Sequence, residues 1–300
     1  MNAGYAKIAI TVVLWLSMVS PSFSECPSAD LTGDCRVDLE DFARFASQWL
    51  TEGIPTPVLY GVTWVTIDDP GIGGGKEGFT GEMSKYETNN AQYCQFLNAA
   101  LASGDITVID NYIYGASGTN SGADFAGEVY YDLAGPGFTN NGATSGGAAR
   151  IHYSSETFTV DSGFENHPVT YVSWYGASAC CTYYGYRLPT EWEWQAVADY
   201  DGSFIYGCGP TIDNSRANYY NSSHPDGTTG AGVFGTYGYG MCDLAGNVWE
   251  WTGSLYDPEL SLRVLRGGTW YRTASYCTVS SQLNRNPYET SYMSGFRMCR

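Results

Sequence analysis

Asp243-Leu-Ala-Gly-Asn-Val-Trp-Glu-Trp251 sets two carboxylates, Asp243 and Glu250, on either side of an Ala245-Gly246 turn. Carboxylates are hard oxygen donors, and a tight turn aims backbone carbonyls at the same point. That combination suits Ca2+, which takes about six to eight oxygen ligands. The same residues also read as plain structure. Asn247 to Thr252 alternates polar and apolar, the pattern of a half-buried strand with Val248 on one side and Trp249 and Trp251 on the other. A second oxygen-rich run lies far upstream. Asp30, Thr32, Asp34, Asp38 and Asp41 fall at positions 1, 3, 5, 9 and 12 of a loop whose position 8 is the apolar Val37. This is the spacing of an EF-hand calcium loop. Position 12 is the short Asp41, and Cys35 stands where glycine usually makes the sharp turn. The alternative is an acidic, solvated turn ahead of a helix.

Other metal chemistry is thinly represented. The three histidines, His152, His167 and His224, have no ligand spacing. The nine cysteines are an odd number, so at least one is unpaired within the chain or pairs with another. Cys26 and Cys35 are close enough in sequence to bridge the 30–41 loop. The chain of 300 residues carries a formal charge of −17, which argues against a nucleic-acid or anionic-membrane binder and suits a cation-binding protein. With 25 Tyr, 9 Trp and 37 Gly, the composition predicts an aromatic core joined by many turns.

The elements that position these groups follow in order. Residues 1–24 read as a secretory signal peptide: Lys7 is the only charge, Ile8 to Val19 is apolar, and Ser22-Phe23-Ser24 offers small residues for cleavage. The expected location is therefore secreted, periplasmic or cell-surface, with disulfides formed and no membrane span in the mature chain. Residues 25–52 hold the loop and a helix with Leu39, Phe42, Phe45, Ala46 and Trp49 on one face. Residues 53–59 form a linker marked by Gly53, Pro55 and Pro57, and the main domain occupies 60–300. There, Thr88 is expected to cap a helix over Ala91 to Ala102, and residues 104–163 to form loops and short hairpins. His167 to Trp174 reads as a buried strand, with Ser173 starting a helix that stops at Gly185. Thr190 and Glu193 form a capping box that opens another helix.

Seven motifs then occur in one order: Tyr86-Glu-Thr-Asn89, His167-Pro-Val169, Val172-Ser-Trp174, Arg187-Leu-Pro-Thr-Glu191, Gly246-Asn-Val-Trp-Glu-Trp251, Arg266-Gly-Gly268 and Gly295-Phe-Arg297. From about Tyr60 to Arg300 the chain resembles the formylglycine-generating enzymes, or sulfatase-modifying factors. The resemblance implies an α+β fold, a variant of the C-type-lectin fold with little regular secondary structure, and two bound Ca2+ ions. One set of ligands would fall on the side chains of Asp243 and Glu250 and the carbonyls of Gly246 and Val248. The other would fall on Asn218, the Tyr219 carbonyl, Asp226 and the Thr228 carbonyl. It also implies a disulfide between the Ser173 helix and the C-terminal strand, for which Cys181 and Cys299 are candidates. The loop at 30–41 resembles the dockerin variant of the EF-hand, which implies a cohesin-like or cell-surface partner. A complete dockerin has two such loops, and one is found.

Active members of that family oxidise a sulfatase cysteine to formylglycine, with O2 and a copper ion held by two cysteines five residues apart. Here Cys277 matches the second position and Arg272 occupies the first. Thiolate pairs suit Cu(I), whereas a guanidinium stays protonated and has no lone pair to offer a metal. Thr269, Trp270 and Arg272 fall in the family's substrate pocket. A further cysteine, such as Cys94 or Cys242, could restore the pair if the fold brought it to Cys277. Iron held by histidines, as in ergothioneine-type relatives, needs a helical domain and a histidine motif that this chain lacks. Three function classes follow: a formylglycine-generating oxidase with Cys277 catalytic, a non-catalytic module that binds a peptide, sulfatase or glycan, and an extracellular structural component attached through residues 25–52. The expected reading is the non-catalytic one, a secreted calcium-binding module.

Overall fold

Two helices start where short side chains predict them. Ser173 accepts the Gly176 N–H at 3.1 Å, and α2 runs Trp174–Tyr183. Thr190 and Glu193 cap each other's backbone at the start of α3, Glu191–Asp199. The first helix, α1 (Asn90–Ser103), is capped by Asn89 in a box with Gln92 and not by Thr88. Thr88 is committed elsewhere. Its N–H bonds the Phe296 carbonyl at 2.8 Å and its carbonyl takes the Val169 N–H at 2.9 Å, so it bridges two distant segments.

The computed structural model describes residues 57–71, 78–116, 125–140, 143–220 and 227–300. The loop with Asp30, Thr32, Asp34, Asp38 and Asp41, the Cys26–Cys35 pair, and Asp226 lie outside the described residues. So does the predicted signal peptide. Pro57–Arg300 forms one unit. Its boundary falls before Tyr60, because Leu59 is 4% exposed and belongs to the main core. Val58 and Tyr60 are pinned to the Gln95 side chain of α1.

The architecture is mixed α and β, with small sheets. The largest has the order β12-β11-β10-β13, from Gln282–Arg285, Leu262–Arg266, Trp249–Asp257 and Ser294–Phe296. Strand β10 pairs antiparallel with β11 and parallel with β13, Glu250 lying opposite Gly295. The hairpin of β1 (Trp64–Asp69) and β2 (Phe79–Ser84) is extended by the end of the chain, which bonds Glu82 and Ser84. Residues 104–163 form short hairpins, as expected: β3 (Ile106–Ile109), β4 (Tyr112–Gly115) and β5 (Val129–Asp132), then β6 (Phe138–Asn140) with β7 (Ala143–Gly146), and β8 (Ile151–Ser154) with β9 (Thr157–Val160).

Three expectations change. His167–Trp174 is buried but is no strand: Pro168 bridges Asn89, Val172 bridges Tyr131, and Tyr171 between them has φ +60°. Its burial comes from packing between segments, which a run of apolar residues does not distinguish from pairing within a sheet. Strand β10 is not half-buried. Trp249 and Trp251 enter the main core, while Glu250 on the other face meets Trp194 of α3, so Trp249 to Thr252 are all buried. Removing roughly 150–250 Å2 per indole from water contributes about 4–6 kcal/mol each before ordering entropy is charged against it. Finally, Cys181 and Cys299 are both free, buried thiols. Successive residues of an extended chain face opposite ways. Met298 takes the face packed into the core with Cys181, and Cys299 turns into a second cluster with Met83 and Trp194.

Candidate functional site

Asp243 and Asn247 both have positive φ, +57° and +58°, and Gly246 between them has φ +80°. The turn is held from two sides. Gly246 N–H bonds the Gly267 carbonyl at 2.8 Å, and Trp270 N–H returns to the Asn247 carbonyl at 2.9 Å. On the other side Asn247 N–H bonds the Asn218 carbonyl at 2.7 Å. A Cβ on Gly246 would stand 2.1 Å from that same carbonyl oxygen, so only glycine fits. The two sequence-predicted calcium segments are thus neighbours, joined by a parallel bridge between Asn218 and Gly246.

Within the turn, the Asn247 amide reads three segments at once. Its Oδ1 accepts from Thr229 N–H at 2.9 Å and from Asn218 Nδ2 at 3.3 Å, and its Nδ2 donates to Glu87 at 2.6 Å. Glu87 also accepts the Val248 N–H at 3.2 Å. This glutamate, 1% exposed, is part of the site and was not singled out from sequence, although it lies in the Tyr86-Glu-Thr-Asn89 motif. It also lines a cleft of about 230 Å3 together with Tyr86, Asn89, Gln92 and Asn166.

The predicted calcium ligands are placed as follows. Asp243 is 8% exposed and accepts the Gly232 N–H at 2.7 Å. Glu250 is fully buried and forms a two-point pair with Arg297 at 2.6 and 2.7 Å, and Trp194 Nε1 donates to it at 2.7 Å. Asn218 is buried, and Thr228 Oγ1 meets His167 Nδ1 at 2.9 Å. Glu87, Asp243 and Glu250 feel one another's charge, with one guanidinium, Arg297, among them. Burial first, and then Asp243 and Glu250, push the Glu87 carboxyl well above the usual range. Burial lifts Asp243 to about 6, against the Gly232 hydrogen bond and Arg297. The donor set is all oxygen, which fits Ca2+ chemically. Glu250 is paired with Arg297, so Asp243 and Glu87 are the two carboxyls of the group without an ion-pair partner among the described residues. Among the described residues, no three His, Cys, Asp or Glu side chains converge as a metal cluster.

The predicted substrate pocket is divided. Thr269 is fully buried, its Oγ1 on the Asn247 carbonyl at 3.1 Å. Trp270 is 1% exposed with Nε1 on the Tyr292 carbonyl. Both brace the turn and neither lines an open surface. Arg272 is exposed, between the Tyr271 and Tyr276 rings at 5.9 and 5.6 Å, and takes part in none of the ion pairs among the described residues. Cys277 is fully buried, and burial lifts its thiol to about 12. The side chain of Arg272 is on the surface and that of Cys277 is inside, while both residues meet the Thr269 backbone. No helix of the described residues is long and apolar enough to cross a membrane.

Comparison with known proteins identifies the family. Residues 78–300 match the family model described as the sulfatase-modifying factor enzyme 1-like domain. The chain is 36% identical over 148 residues to inactive C-alpha-formylglycine-generating enzyme 2 of Mus musculus, covering 43% of this chain and 48% of that protein. It is 32% identical over 166 residues to the formylglycine-generating enzyme of Thermomonospora curvata, covering 44% and 55%. A match to the serine/threonine-protein kinase pkn1 of Chlamydia caviae is 34% identical over 171 residues, covering 51% of this chain and 27% of that one. The chain therefore spans about half the length, or less, of these relatives. The solved structure of CarF aligns with a TM-score of 0.55 at 19% identity, covering 81% of this chain and 99% of that one. The fold is the formylglycine-generating-enzyme variant of the C-type-lectin fold.

Proposed function

Because the chain belongs to the sulfatase-modifying-factor family, we propose that it is a non-catalytic, calcium-binding module that recognises a peptide, sulfatase or glycan outside the cytoplasm. The observation that carries this reading is the guanidinium of Arg272 at the first copper position. The first copper position holds a surface guanidinium stacked on two tyrosines, and the second holds a buried, protonated thiol. Metal ligation needs a thiolate, and no thiol at position 272 is available to complete the pair.

Calcium belongs to the proposal. Three buried carboxyls face one arginine, burial raises the pKa of two of them, and a divalent cation at Asp243 would favour their ionised form. Asp243 and the carbonyls of Gly246 and Val248 are the groups to hold it, because Arg297 and Trp194 occupy both oxygens of Glu250. A second ion at Asn218, Tyr219, Asp226 and Thr228 is part of the same reading. Export through residues 1–24, and attachment to a cohesin-like or cell-surface partner through residues 25–52, rest on the sequence motifs alone.

The test is direct. The purified chain, given Cu(I), O2 and a Cys-x-Pro-x-Arg peptide, is expected to leave the peptide cysteine unchanged by mass spectrometry. Formylglycine in the peptide would replace this reading with that of a formylglycine-generating oxidase. Peptide and glycan arrays, read with Ca2+ and with chelator, identify the ligand class.

A further inference from the structure

Arg263 of β11 and Arg285 of β12 lie directly opposite each other in antiparallel register, so their side chains leave the same face of the sheet. Like charges so placed repel. One carboxylate among the described residues pairs with them, and it is spent on one side. Glu289 holds Arg285 at 2.8 Å, while its other oxygen accepts the Asn286 N–H and side-chain amide. Arg263 takes part in none of the ion pairs among the described residues. It lies 3.7 Å over the Trp174 ring and gives one hydrogen to the Gly253 carbonyl at 3.0 Å, though a guanidinium has about five to give. Both arginines are part-exposed. Two tyrosines flank them. Tyr288, 56% exposed, lies in the loop between Arg285 and Glu289. The Trp174 N–H bonds the Pro287 carbonyl at 3.0 Å, which brings that loop to the start of α2, where Tyr175 is half-buried. The Tyr175 phenol is the ionisable group that Arg263 feels.

We infer that Arg263 and Arg285, flanked by Tyr175 and Tyr288, form a recognition site for a short saccharide that carries a carboxylate or a sulfate ester. A guanidinium presents parallel donors that match two oxygens of such a group. An oxyanion set between the arginines offsets their repulsion and takes hydrogens that Glu289 does not. Each tyrosine offers an apolar ring face and a hydroxyl, which match the apolar face and the hydroxyls of a sugar ring. An acidic peptide offers the charge without that face. The net charge of −17 repels long polyanions, so the ligand is short or sparsely charged. Thr269, Arg272 and Cys277 take no part in the site. The inference rests on the reading of the chain as a recognition module, and it names the class of ligand.

The experiment is titration calorimetry of the full chain, in Ca2+, with three oligosaccharides of matched length: oligogalacturonate, a sulfated galactan and neutral galactan. A charged one should bind and the neutral one should not, and the tighter of the two charged ones names the oxyanion. Arg263→Gln should weaken binding at least about tenfold, the worth of a hydrogen bond to a charged group. Tyr288→Ala should weaken it about threefold, the worth of a stacked ring. Arg300→Gln, at the exposed pair with Glu82, should leave it unchanged. Where Arg263→Gln fails to fold, Arg285→Gln carries the same expectation, because its partner Glu289 is left part-exposed. Neutral galactan or a glutamate-rich peptide binding as tightly as the charged sugars would overturn the inference and leave the recognition reading in place. No binding of either charged oligosaccharide, or unchanged affinity in folded Arg263→Gln or Arg285→Gln, would overturn it too. Formylglycine in the peptide assay above would overturn the non-catalytic reading alone.

Discussion

Arg297 grips Glu250 with two parallel hydrogen bonds, and neither side chain touches solvent. The remaining guanidinium hydrogens go to the carbonyls of Ser84, Lys85 and Cys242, so all of its donors are used. One arginine thereby joins the end of β2, the turn before β10 and the C-terminal strand. Removing one partner of such a pair leaves an uncompensated buried charge, which costs about 3–5 kcal/mol. Glu250→Gln should therefore lower the denaturation midpoint severely or prevent folding. Glu82→Ala, which breaks the exposed pair with Arg300, should change stability by no more than about 1 kcal/mol. Comparable effects from the two variants in urea denaturation would contradict the assignment.

Calcium and protons should compete at Asp243. Its folded-state value of about 6 lies above that of an unfolded aspartate, chiefly because of burial. Between the two values the folded state holds a proton that the unfolded chain has released. Without metal, this group's contribution is therefore most favourable below the unfolded value and is lost as pH rises through about 6. Glu87 acts in the same direction. In chelator, stability should improve as pH falls from 7 toward 5. With Ca2+, stability at pH 7 should rise by about 2.7 kcal/mol when the ion is at 100 times its Kd. Asp243→Asn should raise stability in chelator at pH 7 and remove the response to Ca2+. Scanning calorimetry at several pH values, with and without the ion, checks both signs.

Gly246→Ala should be more damaging than its size suggests. The substituted residue meets a left-handed φ of +80° and a carbonyl oxygen at 2.1 Å. The backbone conformation alone costs about 1–3 kcal/mol for a residue with a side chain. Relief of the clash must also break the Asn218 bridge. Any Ca2+-dependent stabilisation should fall in the same variant, which titration calorimetry would read.

A chain starting at Pro57 should fold as the full domain does. One starting at Tyr60 loses Leu59 from the core and the Val58 contact with Gln95, and should be less stable by about 2–3 kcal/mol. Equal midpoints for the two truncations would place the domain boundary later than the structure does.

Local chemistry was legible at two of the three helix starts, the exception being Thr88, whose backbone is taken by distant segments while Asn89 caps the first helix. The Thr190–Glu193 box and the Ser173 cap are written within four residues, and both form. Asp243 to Trp251 is a true centre of the domain, because its turn demands glycine and its tryptophans fill the core. What the sequence concealed is pairing at a distance. Glu250 reads as a metal ligand until Arg297, 47 residues on, occupies both its oxygens. Glu87 reads as one polar residue in a motif until Asn247 meets it across 160 residues. Thr269 and Trp270 suggest a pocket by family position, yet their hydrogen bonds turn them inward. In each case the deciding partner is set by topology, and neither periodicity nor propensity carries that information.

Arg300 lies over the Trp64 ring at 4.5 Å, and its backbone pairs with Glu82. The first strand of the domain and residue 300 therefore lie side by side. A body whose first strand and last described residue adjoin is suited to being spliced into a surface loop of an unrelated host through short linkers. The same geometry favours circular permutation: a short glycine tether from residue 300 to residue 57 should give a chain that can be opened at an exposed hairpin tip such as Ser155-Glu156 and still reach this fold.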